Sequence, residues 1–577
     1  MKIYMADFET RAGEKAIEEN KTYVWAWGLM ELFNPDNVIT GNTIKNFINI
    51  CSRLGNSLIY FHNLKFDGNF IVDYLLRNGY KHVTERKLGK GEFSTVISES
   101  GVWYEVKFCT GYRNTITVHD SLKKLPFNVR QLGKAFNTKK QKLELEYEDE
   151  RDERHIMSAE EIEYLANDIA VVREALEIQY NEGMEKMTIG SDCLNTFIEM
   201  FGGKEKFRKW FPVLDSHEDA FVRKSYKGGW CYVNKKGHFT GVNGYTADVN
   251  SLYPSMMHSM SGNEYPFGKG IYYEGCYEPI EGYPLFVQRI VVEFELKPGY
   301  LPTVQVKGSP LYPGNEWIAK TVEPLEITLT SVDLELLFEH YDIISIRYVD
   351  GYAYQAGKGF FDEYINKFME IKMNSKGAIR TLAKLFLNNL YGKFAMKIEQ
   401  ADKIPYMGND DKLHFRIGEL QPKPGVYIPV GAFVTAYSRR FTITAAQKNF
   451  DIFCYADTDS IHCIDEPKGI TIDDVHLCAW KLESRWTEAN FVRQKTYAER
   501  IDSIGPGEFW DLKCAGMDDE SKKEFLHMIN RGEKTIEDFN IGLVIKGKKL
   551  RPTQAIGGVI LTPTDYTMNR NNFLCRF

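Results

Sequence analysis

The chain has 577 residues, too many for one ordinary hydrophobic core, and 43% hydrophobic with 26% charged residues is the balance of a soluble globular protein, so two to four domains are expected. A formal net charge of -7 argues against a simple wrapper of nucleic acid, and ten scattered cysteines with no C-x-x-C pair argue against a zinc ribbon or a disulfide framework. No apolar run approaches bilayer length and "MKIYMADFET" lacks a signal-peptide core, so a cytoplasmic protein with no membrane partner is expected.

In chain order, "KIYMADF" reads as a strand, "YVWAWGLMEL" as its partner and "SLIYFHN" as another short apolar run. The acidic run 144–155, "ELEYEDERDERH", reads as a solvated loop. A long helix is expected over 158–187: Ser158 and Glu161 make a capping box, and Ile162, Leu165, Ile169 and Val172 recur at helical spacing. Strands followed by a helix predict an α/β first domain ending near residue 188. A strand-rich stretch should follow, with glycine-rich turns in "YKGGWCYVNKKGHFTGVNG". Residues 302–358 carry turn signals and short strands, the pattern of an inserted subdomain. Residues 360–396 read as two antiparallel helices broken around Asn374–Gly377, and "KIPYMGNDDKLHFRIGEL" as a hairpin with "GNDD" at its tip. Strand patterns return over 425–465, and the C-terminal part holds the basic cluster "KGKKLRP" among strand-like runs.

Two sets of carboxylates stand out. "ADFET" puts Asp7 and Glu9 on one face of a strand. "FHNLKFDGNF" adds Asp67 just after a strand-like run, beside Asn63 and Phe66, and "YLANDIA" puts Tyr164 and Asp168 on one helix face. Four acids in one pocket repel unless cations neutralise them, and oxygen-only ligands suit Mg²⁺ or Mn²⁺. Two such ions roughly 3.5–4 Å apart can activate a water and stabilise a leaving oxygen. Each piece alone is weak, since a D-x-E at a strand end is usually solvated. The ordered series D-x-E, N-x-x-F-D, Y-x-x-x-D resembles the proofreading 3′–5′ exonuclease domain of the DEDD class, tyrosine subtype. That resemblance implies Asp7, Glu9, Asp67 and Asp168 as metal ligands and Tyr164 as the group orienting the attacking water. It also implies that His62, Asn63 and Phe66 touch the frayed primer end. Lys142, in "QKLELEY", matches a lysine near the scissile phosphate, and "DSLKKLPF" implies that Ser121 and Leu122 contact the single strand.

The second set begins with Asp248 in "TADVNSLYPSMM", followed by Tyr253, and ends with Asp457 and Asp459 in "DTDS". Between them, Arg380, Lys384, Asn388 and Tyr391 line one face of an expected helix, and Lys372 adds a cation. Carboxylates for two metals, cations for a triphosphate and a flat ring for a base pair are the parts of phosphoryl transfer. Alone, the helix face could be merely solvated; a calcium loop is excluded because "DTDS" is followed by "IHC" without the required Gly and downstream Glu. The motifs "DVNSLYP", "KLFLNNLYG", "YADTDS" and "RQKTY", with "SYKGGW" and "TAYSRR", resemble the protein-primed bacteriophage branch of the family B DNA polymerases over nearly the whole chain.

The resemblance implies an α/β and α+β multidomain chain: an RNase H-like 3′–5′ exonuclease domain (1–188) and a right-hand polymerase. The latter divides into palm (189–301 and 421–515), fingers (359–395), thumb (516–577) and two protein-priming insertions (302–358 and 396–420). It implies Asp248, the Val249 carbonyl and Asp459 as ligands for two Mg²⁺, replaceable by Mn²⁺, with Asp457 in support. Lys372, Arg380 and Lys384 would hold the triphosphate, Tyr253 would exclude a 2′-hydroxyl, and Asn388 and Tyr391 would frame the nascent pair. Tyr226, Gly228, Gly229, Thr435, Arg439, Lys495 and Tyr497 would contact DNA. The branch commonly has serine at the position of Asn389 and tryptophan at that of Tyr437. The implied activity is DNA-directed replication of a linear viral genome, primed by a terminal protein, with strand displacement and proofreading. The implied partners are template-primer, deoxynucleotides, single-stranded DNA and the terminal protein; the chain is otherwise monomeric, in a host bacterial cytoplasm. A stand-alone nuclease would have lost Asp248, Asp459 or Lys384, a single-strand-binding factor would not need seven acids, and "DVNSLYP" with an attached nuclease argues against a reverse transcriptase.

Overall fold

The computed structural model of the chain describes residues 1–85, 87–111, 114–143, 151–312, 316–502 and 509–569; residues 144–150 of the acidic run expected as a loop lie outside them.

The first unit is built on strands β1 (Lys2–Thr10), β2 (Val24–Glu31), β3 (Asn34–Gly41), β4 (Ser57–Phe61), β5 (Lys81–His82), β6 (Glu92–Ile97), β7 (Trp103–Gly111) and β8 (Asn114–Asp120). They form one sheet in the order β3-β2-β1-β4-β8-β7-β6-β5, with β1 parallel to β4 and β4 parallel to β8. Helices α1 (Glu14–Glu19), α2 (Ile44–Cys51), α3 (Leu64–Arg77), α4 (Val129–Phe136) and α5 (Ala159–Asn181) complete it. The period of two along β1 decides its two faces: Tyr4, Ala6 and Phe8 join the core with α2 and α3, while Ile3 and Met5 join the one with α5. The α5 cap is the predicted one, with the Ser158 and Glu161 side chains exchanging bonds with each other's backbone N–H, although the helix stops at Asn181 rather than near 187.

After residue 188 the expected strand-rich stretch begins instead with three helices, α6 (Ile189–Met200), α7 (Lys204–Trp210) and α8 (Ser216–Arg223). Thr188 and Asp215 cap α6 and α8 by accepting backbone N–H bonds, and Phe197, Phe207 and Phe211 bury one aromatic stripe. Strands β9 (Cys231–Val233) and β10 (Gly237–Val249) and helix α9 (Leu252–Met257) follow. A four-stranded antiparallel sheet comes next, built from β11 (Tyr265–Glu274), β12 (Leu285–Leu296), β13 (Leu325–Thr330) and β14 (Tyr341–Gly357), with α10 (Ser331–His340) after β13. The segment 302–358 is therefore not a unit by itself: β13 and β14 bond to β12, and β14 bonds to β11, which extends the unit back to residue 265. Helices α11 (Asp362–Asn374) and α12 (Gly377–Phe394) pack together, and β15 (Glu399–Met407) with β16 (Leu413–Pro422) forms the expected hairpin.

The stretch 425–465 departs most from its expectation. Residues Ile428–Lys448 form one helix, α13, with 16 of 21 residues buried. A helix buried all round has no amphipathic stripe, and its Val, Ile, Thr and aromatic residues imitate strand composition. Strands β17 (Phe453–Asp457), β18 (Ser460–Cys463), β19 (Trp480–Arg493), β20 (Thr496–Ile501) and β21 (Phe509–Cys514) then complete a seven-stranded antiparallel sheet in the order β21-β20-β19-β10-β18-β17-β9. The last described elements are α14 (Asp519–Asn530) and the hairpin of β22 (Val544–Ala555) and β23 (Gly558–Thr567). Among the described residues no helix is long and apolar enough to cross a membrane.

Candidate active sites

On β1, Asp7 and Glu9 continue the face of Ile3 and Met5 and so point toward α5, which carries Tyr164 and Asp168 one turn apart. Asp67 follows the expected strand, β4, and sits in the first turn of α3. Burial, and then the neighbouring Asp168 charge, push the Asp7 carboxyl up to about 7. Burial followed by Asp7 and Glu9 raises Asp67 well above the carboxylate range. One oxygen each of Asp67 and Asp168 is buried without a hydrogen-bond partner. Asp168 is also raised by burial, opposed by the Lys142 ammonium that pairs with its other oxygen. That ammonium also lies 5.5 Å from the Tyr164 ring centre.

The loop beside this cluster is organised by Asp120, which the sequence reading missed. Its buried carboxylate accepts the N–H groups of Asn63, Leu64 and Leu122 at 3.1, 3.3 and 3.0 Å and pairs with Lys123. Asn63, held at φ 70°, and Phe66 remain open or half-open to solvent, as does Leu122. Ser121 does not: it is fully buried, its hydroxyl donating to the Phe61 carbonyl at 3.1 Å and facing His62 Nδ1 at 3.0 Å. His62 Nε2 is engaged by the Phe127 carbonyl at 2.8 Å. Both side chains serve the loop's shape, which corrects the expectation that Ser121 meets a strand directly.

The second cluster forms where β10 ends against the β17–β18 turn. Asp248 is paired across the sheet with Ser460 on one side and Lys481 on the other, and the Val249 N–H donates to the Asp459 carbonyl at 2.7 Å. The turn is tight, with Thr458 at φ 65°. Thr458 is anchored through its N–H to the Trp230 carbonyl at 2.8 Å, and its carbonyl accepts the Thr442 hydroxyl of α13 at 2.9 Å. Burial, then Asp459 and Glu483, push the Asp248 carboxyl up to about 8, and Asp459 is pushed up to about 6, again by burial first. Asp457 differs: Lys495 pairs with it and the Tyr455 hydroxyl donates to it at 3.3 Å. Lys481 and Glu483, two apart on β19, flank the cluster and were overlooked; the alternation in "WKLESRW" was the available signal.

Facing this edge, Arg380, Lys384 and Asn388 are exposed along α12, with Tyr391 half-buried. Lys372 donates to the Ser251 hydroxyl at 3.2 Å, and its ammonium is pushed down by burial and then by Lys384 and Arg380. Tyr253 and Tyr391 stack with centres 3.9 Å apart and planes 25° off parallel. Tyr226 lies beside Tyr391. Asn389 turns back to the Leu385 carbonyl at 2.7 Å, and the buried Tyr437 hydroxyl donates to the Glu264 carbonyl at 2.9 Å.

Four expected DNA contacts are placed otherwise. Arg439 is 1% exposed, paired with Asp333 at 2.7 Å and donating to the Lys227 and Gly228 carbonyls. Thr435 is buried and bonds within its own helix. Tyr497 is buried against Tyr455 and His462. A Cβ on Gly229 would stand 2.4 Å from the Thr458 side chain, so this glycine is required by the protein's own turn, whereas one on Gly228 would meet nothing within 4 Å.

Among the described residues no three His, Cys, Asp or Glu side chains already stand together as a metal cage. The donor set nevertheless fits hard divalent cations: oxygen ligands only, two of their oxygens orphaned, and several carboxyls raised by burial first and then by mutual repulsion.

A family model described as DNA polymerase type B, organellar and viral, matches residues 48–161 and 144–474. The DNA polymerase of Bacillus phage Nf is 40% identical over 590 residues, covering 98% of this chain and 99% of that protein, and the DNA polymerase of Bacillus phage phi29 is 39% identical over 591 residues with the same coverage. The structure of phi29 DNA polymerase complexed with primer-template DNA and incoming nucleotide substrates superposes with a TM-score of 0.90 at 38% identity, over 98% of this chain and 100% of that one. The chain therefore belongs to the organellar and viral type B DNA polymerases.

Proposed function

We propose that this protein replicates a linear bacteriophage genome from a protein primer, displacing the non-template strand and proofreading with a separate 3′–5′ exonuclease site. The observation that carries the synthetic half is the meeting of Asp248 and Asp459 at one sheet edge, opposite the cations of α11 and α12. Asp248, Asp459 and the Val249 carbonyl would hold two Mg²⁺, or Mn²⁺, with Asp457 steadied by Lys495; Asp7, Glu9, Asp67 and Asp168 would hold the exonuclease pair. Bound there, the ions supply charge neutralisation and a lowered pKa for the attacking oxygen.

The protein's own groups do the rest. Lys372, Arg380 and Lys384 bind the triphosphate, with Lys372 the most buried of the three and set beside Ser251. The Tyr253–Tyr391 stack is the floor for the nascent pair, with Asn388 at its rim and Tyr253 closing the space of a 2′-hydroxyl. Tyr226, Gly228 and Lys495 lie beside the same edge and guide template and primer. At the exonuclease site Tyr164 orients the water, Lys142 neutralises the scissile phosphate, and Asn63, Phe66 and Leu122 hold the strand end. That phi29 DNA polymerase has been captured with primer-template and with single-stranded DNA supports both substrates. The unit of β11–β14 would receive the terminal protein, α11–α12 are the fingers, β15–β16 the strand-displacing insertion, and the C-terminal hairpin the thumb, all in the host cytoplasm.

Asp459→Ala is expected to abolish primer extension and keep exonuclease activity, and Asp7→Ala with Glu9→Ala to do the reverse; normal extension by the first or normal degradation by the second overturns that site. Incubating the protein with the neighbouring gene's product, labelled deoxynucleotides and Mg²⁺ or Mn²⁺ tests priming: a labelled protein band supports it, and DNA-primed extension without one refutes it.

A further inference from the structure

Behind the polymerase carboxylates lies a buried polar cluster that the reaction does not use. His462 and Glu499 are 1% and 2% exposed. His462 Nδ1 lies 2.6 Å from a Glu499 carboxylate oxygen, and the Thr246 hydroxyl lies 3.3 Å from both Glu499 oxygens and 3.1 Å from Nδ1. The other ring nitrogen, Nε2, lies 3.2 Å from the Ser460 hydroxyl. The carboxylate fixes the tautomer, because a buried Glu499 accepts and Nδ1 must donate, which leaves Nε2 for Ser460. Tyr455, Phe491 and Tyr497 enclose the imidazole, with ring centres 4.9 to 5.9 Å away.

Its place in the sheet gives the cluster meaning. Thr246 is paired with His462, and the next pair on that face is Asp248 with Ser460. Thr246 precedes Asp248 by two residues and Ser460 follows Asp459 directly. The imidazole and the Glu499 carboxylate together thus join the strand of Asp248 to the turn of Asp459: Thr246 donates to Glu499, Glu499 accepts Nδ1–H, and Nε2 meets Ser460. A slip of one residue between β10 and β18 would reverse the face of Asp248, and an apolar core alone resists that less than a satisfied polar network. We propose that His462, held by Glu499, is a positioning residue: it ties Thr246 to Ser460 and thereby fixes Asp248 against Asp459. The inference rests on the reading of those two aspartates as the polymerase centre.

The test compares wild type, Glu499→Gln, and the double variant His462→Phe with Glu499→Leu. The double variant removes both polar partners together, which leaves no unpaired buried charge and favours retention of the fold. In the double variant, kcat for nucleotide addition is expected to fall about 10- to 100-fold with nucleotide KM nearly unchanged, because the triphosphate is held by α11 and α12. Exonuclease activity of the same preparation stays at the wild-type rate. Mn²⁺ binding, followed by electron paramagnetic resonance on an Asp7→Ala, Glu9→Ala background, weakens about tenfold or more. Glu499→Gln, which keeps an acceptor for Nδ1–H, restores both readouts toward wild type. A double variant with wild-type kcat and Mn²⁺ binding overturns the proposal, as does a parallel loss of both activities. Normal extension by Asp459→Ala in the same assay would instead sink the reading of the centre; an inactive Asp459→Ala beside a normal double variant sinks only the positioning role.

Discussion

Asp457 and Asp459 have the same side chain and sit two residues apart, yet their surroundings separate them. Asp457 has its cation in Lys495, while Asp459 has no hydrogen-bonded cation among the described residues and carries a carboxyl raised to about 6. Alanine at Asp459 should therefore slow primer extension by at least about 100-fold and hurt more than alanine at Asp457, read by single-turnover incorporation. Asp248 gives a stability test. Its carboxyl is raised to about 8 in the folded protein against about 3.9 when unfolded. Between those values the folded state keeps a proton that the unfolded state has lost, so this contribution is complete at low pH and disappears as pH rises through the folded pKa. In chelator, Tm of wild type relative to Asp248→Asn should fall from about pH 5 to about pH 9, and excess Mg²⁺ should reverse the order at the upper end. Calorimetry at several pH values reads this directly. Tyr253→Val removes one ring of the Tyr253–Tyr391 stack and should raise ribonucleotide incorporation about tenfold or more in competition assays.

Elements turn these residues into a site through backbone contacts that composition does not announce. The segment Tyr226–Gly229 is held from one side by Arg439 of α13 and meets the Thr458 turn on the other. Gly229→Ala forces a Cβ into Thr458 and should displace the aspartate turn, lowering kcat for extension about tenfold or more, whereas Gly228→Ala, with no protein atom within 4 Å of its Cβ, should leave the turn in place and act on the KM for template-primer instead. Steady-state extension by the two variants separates a steric requirement from a general need for glycine. Helix α13 carries the same lesson about legibility. "TAYSRR" stands out as a motif, but the segment around it has the composition of a strand, because burial on every side erases the period that marks a helix.

At the scale of the whole molecule, two distant hairpins dock on the first unit, that of β1–β8. Leu413 of β16 is fully buried in that unit's core, with Phe415 edge-on to Trp103. The β22–β23 tip exchanges backbone bonds with residues 20 and 22 through Ile556, and Gln554 donates to Asn69 of α3 at 2.8 Å. The helix that carries Asp67 therefore also anchors both hairpins. Leu413→Ala should weaken the first docking by about 2–5 kcal/mol and shorten the product made per binding event, measured with a competitor trap, while single-nucleotide addition remains. Lys124 makes a third junction, its fully buried ammonium paired with Asp192 at 2.7 Å and accepted by the Met184 and Lys186 carbonyls.

The sequence by itself determined the local features: the alternation that turns Asp7 and Glu9 to one face, the capping box that starts α5, and the helix face of Arg380, Lys384 and Asn388. Each follows from the residue's own backbone period or its nearest neighbours. Only the tertiary structure decided which distant groups meet. It brought residue 248 beside residue 459, placed Asp67 on a helix, buried Arg439, Thr435 and Ser121, made Asp120 the centre of a loop, and joined His462 to Glu499. Those outcomes depend on close packing between segments far apart in the chain, where a charge or hydroxyl is spent on whichever partner burial leaves within reach.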